Sequence, residues 1–376
     1  MKTPRKKSHA YAVIIAGGRG TRFWPLSRPH RPKQLLKILS GKSLIQETLN
    51  RILPLFGREN TLVVTVAEHY NAIRKELLIL PKANFLVEPQ GNNTAPCIGL
   101  AAIELAARDP EAIMTILPAD HWISDLNSFC RTIKAAAELA QGHDALVTIG
   151  IRPGYPETGY GYILKGKKIK GPRGVSVYQV KGFKEKPTLK KAGRLMQLGS
   201  LWNSGIFIWK ASTLLASLRR FTPSISQGLK RIEEEARGMG LGTAPPKLQA
   251  VLRREYKKMP SISIDNAVLE KAGSEGKVLT LEASFGWSDV GSWAALHRML
   301  PRDRKGNVGV GKWLGLQSRD CLVYSPDRLV VLLGMQETFV VDTPDALLVG
   351  DINRAQEVKD LVEELKRKGY RRYTVR

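Results

Sequence analysis

Three groups of residues carry side chains suited to phosphate chemistry. The first is Ala16-Gly17-Gly18-Arg19-Gly20-Thr21-Arg22, with Lys33 eleven positions beyond Arg22 in a stretch containing Pro25, Pro29 and Pro32. Glycines let a backbone approach a ligand and turn successive N–H groups toward one anion, while Arg22 can fork onto phosphate oxygens and Lys33 can clamp them. Glycines at a strand–helix turn also occur for purely conformational reasons, so this segment alone leaves both readings open. Two common phosphate motifs do not fit. A dinucleotide GxGxxG needs glycine where Phe23 stands, and a P-loop around Gly41-Lys42-Ser43 needs glycine where Leu36 stands.

The second group is acidic. Asp120 follows the apolar run Ile113–Leu117 and has His121 beside it; Asp289 lies in Gly286-Trp287-Ser288-Asp289-Val290-Gly291. Two carboxylates at strand ends are suited to Mg²⁺, with substrate phosphates filling the metal's other positions. His121 reads as a structural neighbour rather than a base. The third group is Phe183-Lys184-Glu185-Lys186-Pro187, with Asn203-Ser204-Gly205 further on. Strand alternation predicts that Glu185 and Lys186 point to opposite sides, one toward hydroxyls and one toward a phosphate; a charged edge strand is the other reading. Glu88-Pro89-Gln90-Gly91-Asn92-Asn93-Thr94 could read the polar edge of a base, although Thr94 as a helix cap accounts for part of it.

The elements that position these groups follow from periodicity. Strands are expected at Tyr11–Ile15, Leu62–Val66, Phe85–Val87, Ile113–Leu117 and Ala145–Ile149. Between them the spacing predicts helices at Ser43–Ile52, Asn71–Leu80, Thr94–Arg108 and Ser128–Ala140. Strand–helix alternation implies a mostly parallel sheet covered on both faces, with ligands beyond the carboxyl ends of its strands. Tyr160–Leu164, Val175–Phe183 and Ile206–Trp209 read as further strands, with turns over Lys165–Gly174, and Ala211–Arg219 as a helix. Gly238–Pro246 reads as a loop. Short strands at Cys321–Tyr324, Leu329–Leu333, Phe339–Val341 and Leu347–Val349 imply a small β module from about residue 301, closed by a helix over Arg354–Lys368.

Composition narrows the class. The chain has 376 residues, 59 Lys+Arg and 34 Asp+Glu, a net charge of +25, and 43% hydrophobic residues. That is a globular mixture, and the charge favours anionic partners. The basic residues are dispersed apart from Lys2, Arg5, Lys6, Lys7 and the tail from Lys366, without a nucleic-acid motif, so a nucleic-acid partner is not expected. Lys2–Lys7 before Ala10–Ala16 imitates a secretion signal, but the run leads directly into the glycine turn with no cleavage pattern. Three widely spaced cysteines (97, 130 and 321) exclude a disulfide framework and fit a reducing, cytoplasmic compartment; no apolar run is long enough to span a membrane.

The ordered set Ala16–Arg22, Pro32-Lys33-Gln34, Leu117-Pro118-Ala119-Asp120-His121, Glu185-Lys186-Pro187, Trp202-Asn203-Ser204-Gly205 and Trp287-Ser288-Asp289-Val290-Gly291 resembles the sugar-nucleotide pyrophosphorylases. Phe23-Trp24-Pro25-Leu26-Ser27-Arg28, Asn93-Thr94-Ala95-Pro96 and Asp342-Thr343-Pro344-Asp345-Ala346-Leu347-Leu348-Val349 make it similar to the mannose-1-phosphate guanylyltransferase branch. The resemblance implies an α/β, Rossmann-like nucleotidyltransferase domain with a mixed, mostly parallel sheet over residues 1–300. It also implies a small left-handed β-helix-like domain over 301–376, through which a homodimer could form. It implies GTP and α-D-mannose 1-phosphate as substrates, GDP-mannose and pyrophosphate as products, and Mg²⁺ as cofactor.

By position, the resemblance places Gly17, Gly18, Gly20 and Thr21 around the nucleotide, with Glu88, Asn93 and Thr94 at its base. It places Arg22, Lys33 and Lys186 on phosphates as the catalytic cations, and Gly159, Glu185 and Asn203 at the sugar. Asp120 and Asp289 fall to the metal. Lys184 stands where valine is usual, and Asn92 where arginine is usual. The isomerase domain of bifunctional relatives is not expected. Alternatives are a pyrophosphorylase for another nucleotide or hexose 1-phosphate, and a catalytically silent regulatory homologue.

Overall fold

A computed structural model describes residues 9–375; the Lys2–Lys7 cluster lies outside them. Eleven strands belong to the larger part of the chain: β1 (Ala10–Ala16), β2 (Thr61–Val66), β3 (Phe85–Glu88), β4 (Ile113–Pro118), β5 (Trp122–Ile123), β6 (Leu146–Ile151), β7 (Gly161–Ile169), β8 (Val177–Glu185), β9 (Leu201–Lys210), β10 (Val278–Ala283) and β11 (Trp287–Ser288). Nine of them form one sheet in the order β3-β2-β1-β4-β9-β6-β10-β8-β7. Parallel pairs β3–β2, β2–β1, β1–β4 and β6–β10 set its direction, and only β8 and β9 run against it. The expected mixed, mostly parallel sheet is therefore present. Its two faces are both covered: β2 and β6 are buried along their whole length, and β1 and β4 at all but one or two positions, with mostly apolar residues throughout.

Local chemistry explains most of the helices. Ser43 caps Leu44–Phe56 in a reciprocal box with Gln46, and Leu44, Ile45, Leu49 and Ile52 are all buried. Thr94–Arg108 runs as the periodicity predicts, but its cap is Asn93, which accepts from the Thr94 N–H at 2.9 Å. Thr94 instead accepts from the Ile264 N–H at 2.8 Å. The helix expected over Asn71–Leu80 is Tyr70–Glu76, since Leu77 leaves helical geometry at φ −124°, ψ 41°.

Several elements differ from the periodic reading. β7 continues to Ile169 through residues expected to turn, because Lys165 and Lys168 still pair with β8. The helix Pro246–Tyr256 follows directly on the short 3₁₀ turn Leu241–Thr243 in the expected loop. The helix Pro223–Glu235 and the strand β10 carry no expectation.

The C-terminal part has β12 (Val308–Leu316), β13 (Leu322–Leu333), β14 (Thr338–Asp342) and β15 (Leu347–Asp351), in that order in one sheet. The first three are parallel, which suits stacked coils of a β-helix, and β15 returns antiparallel. The two strands expected at 321–324 and 329–333 are one continuous strand. The helix expected over Arg354–Lys368 is a 3₁₀ turn, Ile352–Glu357, followed by an α-helix, Val358–Arg367.

This part packs on the segment after the glycine turn. Phe23, Trp24, Leu26 and Leu36 share one core with Trp293, Val308, Phe339, Val358 and Val362. That core uses Phe23 and Leu36, the residues that break the two common phosphate motifs. The three cysteines are free, and among the described residues no helix is long and apolar enough to cross a membrane.

Candidate active site

The glycine-rich turn leaves β1 at Gly17. Gly18 has nothing within 4 Å of where a Cβ would stand, and Gly17 only Val66 and Glu88 at 3.9 and 4.0 Å. Neither glycine is demanded by packing, so both leave open backbone. Gly20 is different: its φ is +66° and a Cβ there would lie 2.2 Å from the Lys33 Cβ. The conformational reading holds for Gly20, and the ligand-approach reading suits Gly17 and Gly18. Ser27 fixes the turn by donating to the Gly20 carbonyl at 2.7 Å.

Lys33 is buried at 7% exposure, at the start of the turn Lys33–Leu35. Its Nζ lies 2.7 Å from Asp120 Oδ2 and donates to the Asp289 carbonyl at 2.5 Å. Asp120 and Asp289 are brought together by the two-stranded ribbon β5–β11, in which Trp287 pairs with Ile123 and Ser288 with Trp122. Tyr160 donates to Asp289 Oδ1 at 2.9 Å. A side chain at Gly291 would strike Asp289 Oδ2 at 2.8 Å, so that glycine makes room for the carboxylate. Burial pulls the Asp120 carboxyl upward, but the ammonium of Lys33 and its hydrogen bond outweigh that and hold it below the usual aspartate value.

His121 is pushed down to about 4 by burial. It is thus neutral at pH 7, and its Nδ1 accepts from the Trp287 indole N–H at 3.1 Å, which agrees with a structural role. Gly20, Thr21, Arg22, Lys33, Asp120 and Asp289 surround a cavity of about 280 Å³. Lys359, from the C-terminal helix, reaches the same cavity.

A second cavity of about 370 Å³ continues under the turn, lined by Gly17, Gly18, Glu88, Asn93, Thr94, Asp120 and Asp265. Asp120 belongs to both cavities. Glu88 is 2% exposed, its Oε1 has no hydrogen-bond partner, and burial pushes its carboxyl up to about 8. Asp265 is pushed up to about 6, chiefly by burial, against the pull of Asn203, whose amide donates to it at 2.7 Å.

A nucleotidyl transferase family model matches residues 11–306, and a mannose-phosphate isomerase/GMP-like β-helix domain model matches residues 311–365. The mannose-1-phosphate guanylyltransferase of Escherichia coli is 38% identical over 359 residues, 94% of this chain and 73% of that protein. The chain belongs to the mannose-1-phosphate guanylyltransferase family. A Klebsiella pneumoniae protein of the same name is 37% identical, over 96% of this chain and 75% of its own length. A crystal structure from Thermus thermophilus, described as a mannose-1-phosphate geranyltransferase, superposes with a TM-score of 0.84 at 33% identity, over 96% of this chain and all of that one.

Within this guanylyltransferase fold, the expected residues divide into three places. Gly20, Thr21, Arg22, Lys33, Asp120 and Asp289 share the smaller cavity; Gly17, Gly18, Glu88, Asn93 and Thr94 share the larger. Glu185, Lys186 and Asn203 line neither, although Tyr160 ties the strand end to Asp289, since its carbonyl accepts from the Lys186 N–H at 3.2 Å. The expectation that Glu185 and Lys186 point apart is corrected. Lys186 has φ +41°, has left the strand, and pairs with Glu185 at 2.9 Å, so alternation no longer governs it. Gly159 gives its N–H to Glu157 at 2.9 Å, beside Gln356 and outside both cavities.

Asn92 is turned away from the cavities, donating to the Tyr256 carbonyl at 2.6 Å. Asp265 and Lys359 carried no signal in the sequence. Asp265 lies on an irregular helical turn, and Lys359 is one of many charges in a surface helix.

Proposed function

We propose that the chain transfers the guanylyl group of GTP to α-D-mannose 1-phosphate, forming GDP-mannose and pyrophosphate, with Mg²⁺ bound by Asp120 and Asp289. The observation that carries the reading is the meeting of Lys33, Asp120 and Asp289 against the glycine-rich turn, in a chain 38% identical to a mannose-1-phosphate guanylyltransferase. The metal fits the donor set: two hard carboxylates open onto one cavity, where Lys33 now supplies the positive charge that Asp120 faces. When bound, the ion adds charge neutralisation on the phosphates.

In this mechanism a phosphate oxygen of the sugar phosphate attacks the α-phosphorus of GTP. The new P–O bond forms as the bond to the β-phosphate oxygen breaks, and pyrophosphate leaves with that electron pair. The nucleophile is already anionic, so no base is required; the work is alignment and charge stabilisation. Gly17, Gly18, Gly20 and Thr21 offer backbone to the nucleotide, Arg22 and Lys33 hold its phosphates, and Lys359 adds a cation at the same cavity. Glu88, Asn93 and Thr94 face the base. Lys186 takes the phosphate of the incoming sugar, with Gly159, Glu185 and Asn203 at its hydroxyls. Pyrophosphate release from a panel of nucleoside triphosphates and hexose 1-phosphates tests this; the reading fails if GTP with mannose 1-phosphate gives none.

The same reading includes a cytoplasmic homodimer. Leu314, Leu316, Val331 and Leu333 are more than half exposed, and the register sets Leu314 beside Val331 and Leu316 beside Leu333. Such a cross-strand apolar patch favours a second copy. Light scattering of the chain and of a Leu316→Glu, Leu333→Glu variant checks it, with dimer expected for the first and monomer for the second.

A further inference from the structure

The helix Leu44–Phe56 buries more than its apolar stripe. Thr48 and Arg51 stand three positions apart, on one side of the helix, and are 0% and 6% exposed, as deeply covered as Leu49 and Ile52. Arg51 is the unusual one. Among the described residues no carboxylate forms an ion pair with it, and Glu47, one turn earlier, acts on it only at a distance. Its Nε has no hydrogen-bond partner, and burial lowers the guanidinium to about 10, so it stays charged at neutral pH. A charge buried without a counter-ion is costly, and an apolar side chain of similar length would fill the space at less cost. Packing therefore does not account for an arginine here.

Both polar side chains reach the same loop. Thr48 Oγ1 donates to the Ala119 carbonyl at 3.2 Å, and Arg51 Nη2 donates to the His121 carbonyl at 3.1 Å. Asp120 is the residue between those two. From the sheet, the Ala119 N–H donates to the Ile15 carbonyl at 3.0 Å, which ties the loop to β1. The guanidinium is itself held in place: it lies 5.8 Å from the centroid of the Phe129 ring, and Phe129 packs edge-on against Phe285 at 5.5 Å. The backbone around Asp120 is thus pinned by one helix, while the carboxylate it carries faces Lys33 at 2.7 Å in the cavity shared with Asp289. A side chain is aimed only as precisely as its backbone is held, and a misplacement of about 1 Å in a reacting site costs rate steeply.

We propose that Thr48 and Arg51 are positioning residues for the nucleotidyl transfer, fixing the backbone on both sides of Asp120 so that its carboxylate is aimed at the metal and the phosphates. The clamp stands on the hydrogen bonds alone; its consequence for turnover rests on the proposed function.

Thr48→Val removes the hydroxyl at nearly constant volume, and Arg51→Met removes the guanidinium at similar length. Hydrogen exchange of the full chain, read by mass spectrometry without metal or substrates, is expected to quicken over residues 118–123 in both variants while β10 keeps the parent rate. In turnover, kcat falls about tenfold and the half-saturating Mg²⁺ concentration rises about tenfold, with the KM for GTP changed less than about threefold. Thr48→Ser and Arg51→Lys, which keep a donor, recover most of both. Leu49→Ala opens a cavity on the same helix; it lowers the melting temperature and leaves kcat and the Mg²⁺ dependence at the parent level. The inference is overturned if both substitutions leave exchange over 118–123 unchanged, if quicker exchange leaves kcat at the parent value, or if Leu49→Ala reproduces the kcat loss and the Mg²⁺ shift. Should Arg51→Met fail to fold, Thr48→Val decides the point. Should the parent chain transfer no nucleotidyl group, the proposed function falls and the exchange measurement still decides the clamp.

Discussion

Asp120 and Glu88 open onto the same cavity under the glycine-rich turn, yet their surroundings drive them in opposite directions. Asp120 has Lys33 at 2.7 Å and is held below the usual carboxylate value despite burial. Glu88 has only weak partners in Cys97 and Tyr256, and burial pushes it up to about 8. One end of the groove is thus charged at neutral pH and suited to phosphates and a metal. The other keeps a neutral carboxyl, which can donate as well as accept a hydrogen bond, as recognition of a base edge requires. A buried carboxyl takes its charge state from its nearest cation, and the turn separates a residue that has one from a residue that does not.

The most severe disturbance of this contrast is Asp120→Asn. It removes the charge facing Lys33, and turnover should fall on the order of 10²–10³, as for loss of one preorganised electrostatic contact. Steady-state kcat with GTP and mannose 1-phosphate reads it; unchanged kcat would remove Asp120 from the mechanism.

The next effect is on stability. Glu88 titrates near 8 when folded against 4.5 as the ordinary value. Because the folded form binds the proton more tightly, stability is greatest below about 4.5 and is lost as pH rises through about 8. Glu88→Gln carries no such charge. Its melting temperature should match the parent near pH 5 and exceed it at pH 9, by an amount reflecting a few kcal/mol. A gap that does not grow with pH would mean that Glu88 is ionised when folded.

Lys359→Ala should raise the KM for pyrophosphate in the reverse reaction by roughly tenfold, with Lys359→Arg recovering most of it; about 1.4 kcal/mol corresponds to such a factor. A comparable effect, on stability and not on turnover, belongs to Asn93→Ala. It removes a cap and leaves alanine at φ +66°, at a cost of about 1–2 kcal/mol, seen as a lowered melting temperature.

Much of the framework was legible because it is local. The strands β1 to β4 are short apolar runs between polar turns, and Thr94–Arg108 ends where its pattern ends. The antiparallel β9, seated between β4 and β6, was not legible as such. Its Ile206–Trp209 run signals a strand, but nothing in it states a direction or a neighbour. The pair Glu185–Lys186 misled for a related reason: a single residue at positive φ cancels the alternation that its neighbours obey.

The residue types and their order were enough to mark the glycine-rich turn, the two aspartates, Lys33 and the family resemblance, since each depends on the chemistry of a few neighbouring side chains. Only the folded chain places Lys33 beside Asp120 and against the Asp289 carbonyl, moves Asn92 away from the groove, and brings Asp265 and Lys359 to it. Those placements are contacts between residues tens to hundreds of positions apart. They are decided by sheet order, by the β5–β11 ribbon and by how the C-terminal helix packs, none of which a local pattern encodes.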